Sequence, residues 1–292
     1  MTAQAGTPTI LDTARGPIEA VVSGEGPALL AIHGGMGGHD QSGLLARALL
    51  ADASGHRVVA VSRPGYLGSP LPVGESAEDQ ADALAALLDR LGIASAAVAA
   101  VSAGGPSALH FAIRHPERCR ALILVSACTG RLETPPAILS RLRMMARLAR
   151  LPLLPPLLRW RTRRNPAAAA ARAIPDPGLR ARTMADPTAG PLFRALQAGV
   201  FDHLADRLPG TINDITRFGT LAPIPFDRVA APTLVIHGRA DDIVPPSHGD
   251  AAARGIPGAE HLAIDGAGHV ALFTHLAPIR EKAARLLAAA PT

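Results

Sequence analysis

Five short, mainly apolar stretches, at 28–32, 58–61, 96–101, 121–125 and 233–236, recur along the chain with helix-like segments between them. They do not alternate apolar with polar residues. A strand with one wet face alternates, whereas a strand covered by helices on both faces reads as a continuous apolar run. Strands of this kind, separated by helices, build a mostly parallel sheet with right-handed crossovers. The segment 76–91 is the clearest of the intervening helices. Ser76 and Asp79 form a capping box, Leu84, Leu87, Leu88 and Leu91 make one apolar stripe, and Gly92 supplies the stop.

The 292 residues are enough to bury a large α/β core without disulfide or metal staples. The alternation lapses between residues 131 and 222. That region holds the pairs Pro135–Pro136 and Pro155–Pro156, a helical run at 137–150, an Ala tract at 167–171 and no strand-like run. The expected organisation is a core made of residues 1–130 and 223–292, with a helical cap of residues 131–222 inserted between two core strands. A cap so placed lies over the carboxyl ends of the strands, where ligands of such sheets bind.

Charge is uneven. Residues 131–222 carry fifteen Arg against six acids, a net of +9, while the rest of the chain sums to −4. Without aromatic interleaving or a nucleic-acid motif, this reads as a solvated Arg-rich face, and no nucleic-acid partner is expected. The run 148–165 joins Leu pairs to Trp160 and a basic cluster, which raises the idea of a lipid-facing patch. Its prolines interrupt any long amphipathic helix, so membrane contact of the cap is not expected. Cys119 and Cys128 flank a strand-like run that would hold them roughly 30 Å apart, too far for a disulfide. No stretch approaches the ~18 apolar residues of a membrane span, and the N-terminus lacks a basic start followed by an apolar run. The expectation is a cytoplasmic protein of undetermined oligomeric state.

One hydroxyl interrupts the strand-like run at 96–101. Ser102 is followed by Ala103, Gly104, Gly105 and Pro106, and a helical pattern resumes from there. A Ser at that connection projects at the carboxyl end of the sheet, with the first amides of the new helix beside it. The close approach of strand to helix demands small residues two places either side, and Ala100 and Gly104 meet that demand. A hydroxyl is a poor nucleophile alone; it needs a base, usually His, which a carboxylate must orient.

The segment Ala100-Val101-Ser102-Ala103-Gly104 resembles the GxSxG nucleophile elbow of the α/β-hydrolase family, with Ala in place of the first Gly. The resemblance implies an α/β-hydrolase fold with an inserted helical cap, and a catalytic order of Ser, acid, His. It places the acid at Asp241 in IHGRADDIVP, with Asp242 as the alternative, and the base at His269 in IDGAGHVALF. HGGMGG, residues 33–38, resembles the family's oxyanion loop, so that the amides of Gly35 and Ala103 would face the oxyanion, with Met36 as the other donor considered. SRPGYLGSP, residues 62–70, resembles the family's RGxGxS turn and is read as structural.

The implied activity is a serine hydrolase acting through an acyl-enzyme on a small to medium hydrophobic ester or related acyl substrate. Met36, Met145, Phe193 and Phe201 are the expected lining of its apolar pocket. Neither a cofactor nor a metal is expected: the remaining histidines show no ligand spacing with Cys or carboxylates, and His33 is read as bonded to backbone. Members of the family with the same triad also hydrolyse carbon–carbon bonds, remove N-terminal proline, cleave amides or form peracids. A ligand receptor on the same scaffold is the reading from outside enzymology.

Overall fold

The computed structural model describes residues 6–52, 55–151, 156, 157, 160, 164 and 166–290. Eight strands form one sheet: β1 Thr9–Thr13, β2 Gly16–Ser23, β3 Ala28–Ile32, β4 Arg57–Val61, β5 Ala96–Val101, β6 Cys119–Val125, β7 Thr233–Gly238 and β8 Glu260–Ile264. Their spatial order is β1-β2-β4-β3-β5-β6-β7-β8. From β4 to β8 every pairing is parallel, and β2 joins β4, and β1 joins β2, in antiparallel sense.

The five apolar runs are strands, and all five are covered on both faces. Along β5 the side chains alternate between two cores: Ala96, Val98 and Ala100 join one, Ala97 and Ala99 the other. The first core lies under the helices Ala77–Arg90, Gly105–Arg114 and Pro246–Gly255, the second under His39–Leu49 and Leu276–Ala289. The capping box at Ser76 is present, its hydroxyl accepting the Asp79 amide at 3.0 Å, and Gly92 takes the left-handed conformation that ends the segment (φ 65°).

The β1–β2 hairpin has no counterpart among the apolar runs. It lies at the sheet edge, so β2 buries only Ile18 and Ala20 on one face and reads as half-polar. Between β6 and β7 the described residues hold five helices, Pro136–Leu148, Pro166–Ala173, Pro177–Ala185, Ala189–Gly199 and Leu204–Phe218, and no strand. Much of the run 148–165, where a lipid-facing patch was considered, lies outside the described residues. No helix among the described residues is long and apolar enough to cross a membrane.

Candidate active site

β5 ends at Val101 and a single 3₁₀ turn, Ser102–Gly104, leads into the helix Gly105–Arg114. Ser102 occupies the left-handed region at φ 53°, a conformation that costs a non-glycine residue about 1–3 kcal/mol. The packing imposes it. A β-carbon at Gly104 would stand 2.6 Å from the His33 carbonyl oxygen, so only glycine lets the turn pass this close to β3. On the other side of the Ser, Ala100 is fully buried.

Three loops at the carboxyl ends of β5, β7 and β8 meet above the sheet. The Ser102 hydroxyl lies 3.0 Å from His269 Nε2, and His269 Nδ1 lies 2.9 Å from Asp241 Oδ2. A carboxylate only accepts, so Nδ1 carries the proton and Nε2 presents its lone pair to the Ser102 hydroxyl. Asp241 is 4 % exposed and Oδ1 accepts the amides of Ile243 and Val244 at 3.0 and 2.9 Å. Burial pushes its carboxyl up, but the neighbouring imidazoles of His237 and His269 and the Val244 amide outweigh that and hold it well below the usual range. Asp242, the alternative acid, is exposed: the tight turn that buries one carboxylate points the next to solvent.

The loop 33–38 runs against the elbow. A β-carbon on Gly34 would sit 2.9 Å from Ser102 Cβ. The Met36 amide is donated to Thr211 Oγ1 at 2.9 Å, which removes it as an oxyanion donor. Gly35 lines the same cavity as Ser102, and the Ala103 amide opens a helical turn, where N–H groups lack intrahelical acceptors. His33 is fully buried and bonded to backbone on both ring nitrogens, Nδ1 to Gly34 O at 2.6 Å and Nε2 accepting from the Arg63 amide at 2.9 Å. Burial, with the Arg63 charge, keeps it neutral by pushing its pKa well down.

The turn 62–70 does more than shape the sheet edge. Arg63 is 1 % exposed; its Nε donates to His33 O at 3.0 Å and Nη2 to Gly34 O at 3.3 Å, bracing the loop 33–38 from behind. Nη2 also donates to Asp214 Oδ2 at 2.6 Å, and the Tyr66 hydroxyl donates to the same oxygen at 2.6 Å. Asp214 belongs to the helix Leu204–Phe218. A second buried cation on that helix, Arg207, grips Asp40 at 3.0 and 2.9 Å. These two pairs tie one inserted helix to the sheet domain. Neither pair was foreseen, because Arg63 and Arg207 look like surface residues until a distant acid is placed beside them.

Ser102 and His269 open onto a cavity of about 210 Å³. Its walls are Leu44, Leu45, Leu196, Val200, Leu272 and Phe273, with Gln41 as a further polar side chain. None of the four expected pocket residues lines it. Phe193 is 1 % exposed and lies behind the wall, its ring 5.7 Å from that of Phe273. Met36, Met145 and Phe201 instead pack with Leu204 and Leu208 in a separate apolar cluster. The reason is axial position: Phe193 shares a face with Leu196 of the helix Ala189–Gly199 and with Val200 just past its end, but only those two, one and two turns farther along, reach the cavity. Among the described residues no group of three or more His, Cys, Asp and Glu is arranged to hold a metal ion.

Residues 27–276 match the family model described as alpha/beta hydrolase fold. An α/β hydrolase fold protein from Nakamurella multipartita is 34 % identical, superposes with a TM-score of 0.80 and is covered over 99 % of its length by 96 % of this chain. A 2-hydroxy-6-oxononadienedioate/2-hydroxy-6-oxononatrienedioate hydrolase of Paraburkholderia xenovorans is 30 % identical over 226 residues, 76 % of this chain and 73 % of that protein. An uncharacterized hydrolase of Bacillus subtilis is 37 % identical over 121 residues, a span of 41 % of each chain. With the sheet order, the elbow after β5 and a match running over most of its length, this chain belongs to the α/β-hydrolase family.

Proposed function

We propose that this hydrolase cleaves small to medium, uncharged, hydrophobic esters or related acyl compounds, with Ser102 as nucleophile, His269 as general base and acid, and Asp241 as the acid that orients it. One observation carries the reading: the unbroken hydrogen-bonded row from the Ser102 hydroxyl through His269 to buried Asp241, at the floor of an apolar cavity.

In this mechanism Ser102 Oγ attacks the substrate carbonyl while Nε2 of His269 takes its proton. The amides of Gly35 and Ala103 receive the developing oxyanion, a contribution worth about 10² to 10³ in rate per donor. Collapse expels the alcohol, which leaves with the proton from His269, and the acyl group stays on Ser102. Water then repeats the attack with His269 again as base, freeing the acid and restoring the hydroxyl. Nucleophile, base and oxyanion donors are all protein groups, so the chemistry calls for no cofactor. Residues 131–222 would act as the cap, with Leu196 and Val200 forming its share of the pocket wall.

Relatives named as 2-hydroxy-6-oxononadienedioate hydrolases support a second reading, hydrolysis of a carbon–carbon bond by the same row of groups. A dioate brings two carboxylates. Among the described residues the cavity lining holds neither Arg nor Lys to receive them, which favours the uncharged acyl substrate. Both readings, and that of a receptor, are separated by one series of assays. Multiple turnover on p-nitrophenyl esters of increasing acyl length supports the esterase, preference for 2-hydroxy-6-oxononadienedioate supports the alternative, and a single turnover with a ligand-dependent rise in melting temperature supports the receptor. Ser102→Ala is expected to lower kcat by up to about a millionfold and to abolish fluorophosphonate labelling. Unchanged turnover in that variant rejects the assignment.

A further inference from the structure

The inserted helices carry a surface that the hydrolytic row does not use. Between residues 134 and 175 the chain has nine Arg and no Asp or Glu. Within that span the helix Pro136–Leu148 buries no residue completely, yet it is apolar on two sides. Leu142, Met145 and Ala146 face inward and pack with Leu204 and Leu208. Ile138, Met144 and Leu148, with Leu151 just beyond the helix end, are 43, 56, 42 and 54 % exposed. Met144, Leu148 and Leu151 follow at steps of four and three, so they form one stripe, and Arg141 continues it towards Ile138. Arg141, Arg143, Arg147 and Arg150 are exposed along and beside the stripe and have no ion pair among the described residues. Farther along, Trp160 is 52 % exposed and carries the Arg164 guanidinium 4.4 Å above its ring.

We propose that this face docks on an anionic bilayer surface, with the Met and Leu side chains entering the interfacial layer and the guanidinium groups meeting lipid phosphates. A short interfacial helix with an apolar stripe flanked by Arg has the chemistry of such a contact. Charge complementarity selects the occupant. A second copy of this face would bring the exposed charges of Arg141, Arg143, Arg147 and Arg150 against the same four like charges. A nucleic acid would satisfy the Arg but leave the Met and Leu stripe against phosphate, without the aromatic platform that stacks bases. The prolines of the run 148–165 are no obstacle, because the stripe is built on Pro136–Leu148 and needs no long helix.

The test is flotation of the full-length protein with phosphatidylcholine vesicles, with and without one-third phosphatidylglycerol, at low and high salt. Binding is expected only to the phosphatidylglycerol vesicles, and to weaken as salt screens the surface. The triple variant Arg141→Gln, Arg143→Gln, Arg147→Gln is expected to bind about a hundredfold more weakly. Met144→Ser, Leu148→Ser, Leu151→Ser is expected to lose flotation as well, and both variants should keep wild-type hydrolysis of a soluble ester, which shows that they fold. Equal flotation with neutral and anionic vesicles overturns the proposal. So does wild-type flotation of the Ser triple variant, retention of an oligonucleotide that the Ser triple variant holds equally well, or a concentration-dependent dimer that the Ser triple variant abolishes.

Discussion

Asp241 keeps its charge because its own turn holds it. Two amides and two imidazoles approach one carboxylate, and the loss of water is more than offset. A carboxylate that stays ionised throughout the working range locks His269 into the tautomer that a general base requires. Asp241→Asn preserves shape but can reverse that tautomer, and kcat should fall about 10⁴-fold with little change in melting temperature, read by steady-state kinetics and thermal denaturation on the same preparation. Glu19 is a second carboxylate held down, at about 2. Burial acts against it, while hydrogen bonds from His39, Ser62 and the Gly68 amide prevail. Because the folded value lies below the ordinary 4.5, its stabilisation is complete above about pH 4.5 and is lost as pH falls towards 2. Glu19→Gln should cost up to about 3 kcal/mol at neutral pH, and chemical melts should show that gap closing below pH 4.5. Single residues were legible where chemistry demanded a rare type in a fixed loop, as for Ser102 and His269. Leu44, Leu45 and Leu196 were not, since a leucine facing a cavity and one facing the core leave the same periodic trace.

Among the elements, the helix Leu204–Phe218 is tied to its neighbours through buried charged side chains. Its amide at Gly210 donates to Gly65 O at 2.8 Å, next to the gap that Pro209 leaves in the helical ladder. A β-carbon at Gly210 would collide with the Tyr66 ring at 2.2 Å, so glycine is what allows this approach. The approach in turn brings Asp214 to Arg63. Removing one partner of a buried pair strands the other, so Asp214→Ala should destabilise by about 3–5 kcal/mol. Arg63→Met combined with Asp214→Leu should recover part of the loss, and urea denaturation of the single and double variants measures the coupling. The covered strands and the helix Ala77–Arg90 were readable because burial on both faces, and a cap at a helix start, leave marks within a few residues. The β1–β2 hairpin and the clamp on Leu204–Phe218 were not, because each depends on partners far away in the chain.

For the molecule as a whole, Cys119 belongs to the first core, and Cys128 is buried outside both. Cys119 and Cys128 are free and buried, and burial pushes each up to about 12. Neither should react with a disulfide reagent at pH 8 in the native protein, and both should react once the chain is unfolded in guanidinium; a thiol titrated before unfolding would show that part of the sheet opens. Charge was legible at this scale only as a total per segment. Which guanidinium groups are spent inside, as Arg63 and Arg207 are, and which remain outside becomes visible only when the helices are placed. The same topology sets an order of events. Ser102 precedes His269 by 167 residues, with the inserted helices and the three strands β6, β7 and β8 still to come. A ribosome therefore releases the proposed nucleophile well before its activating partner exists, and a chain halted ahead of β8 carries an ordinary alcohol, harmless to the acyl compounds around it.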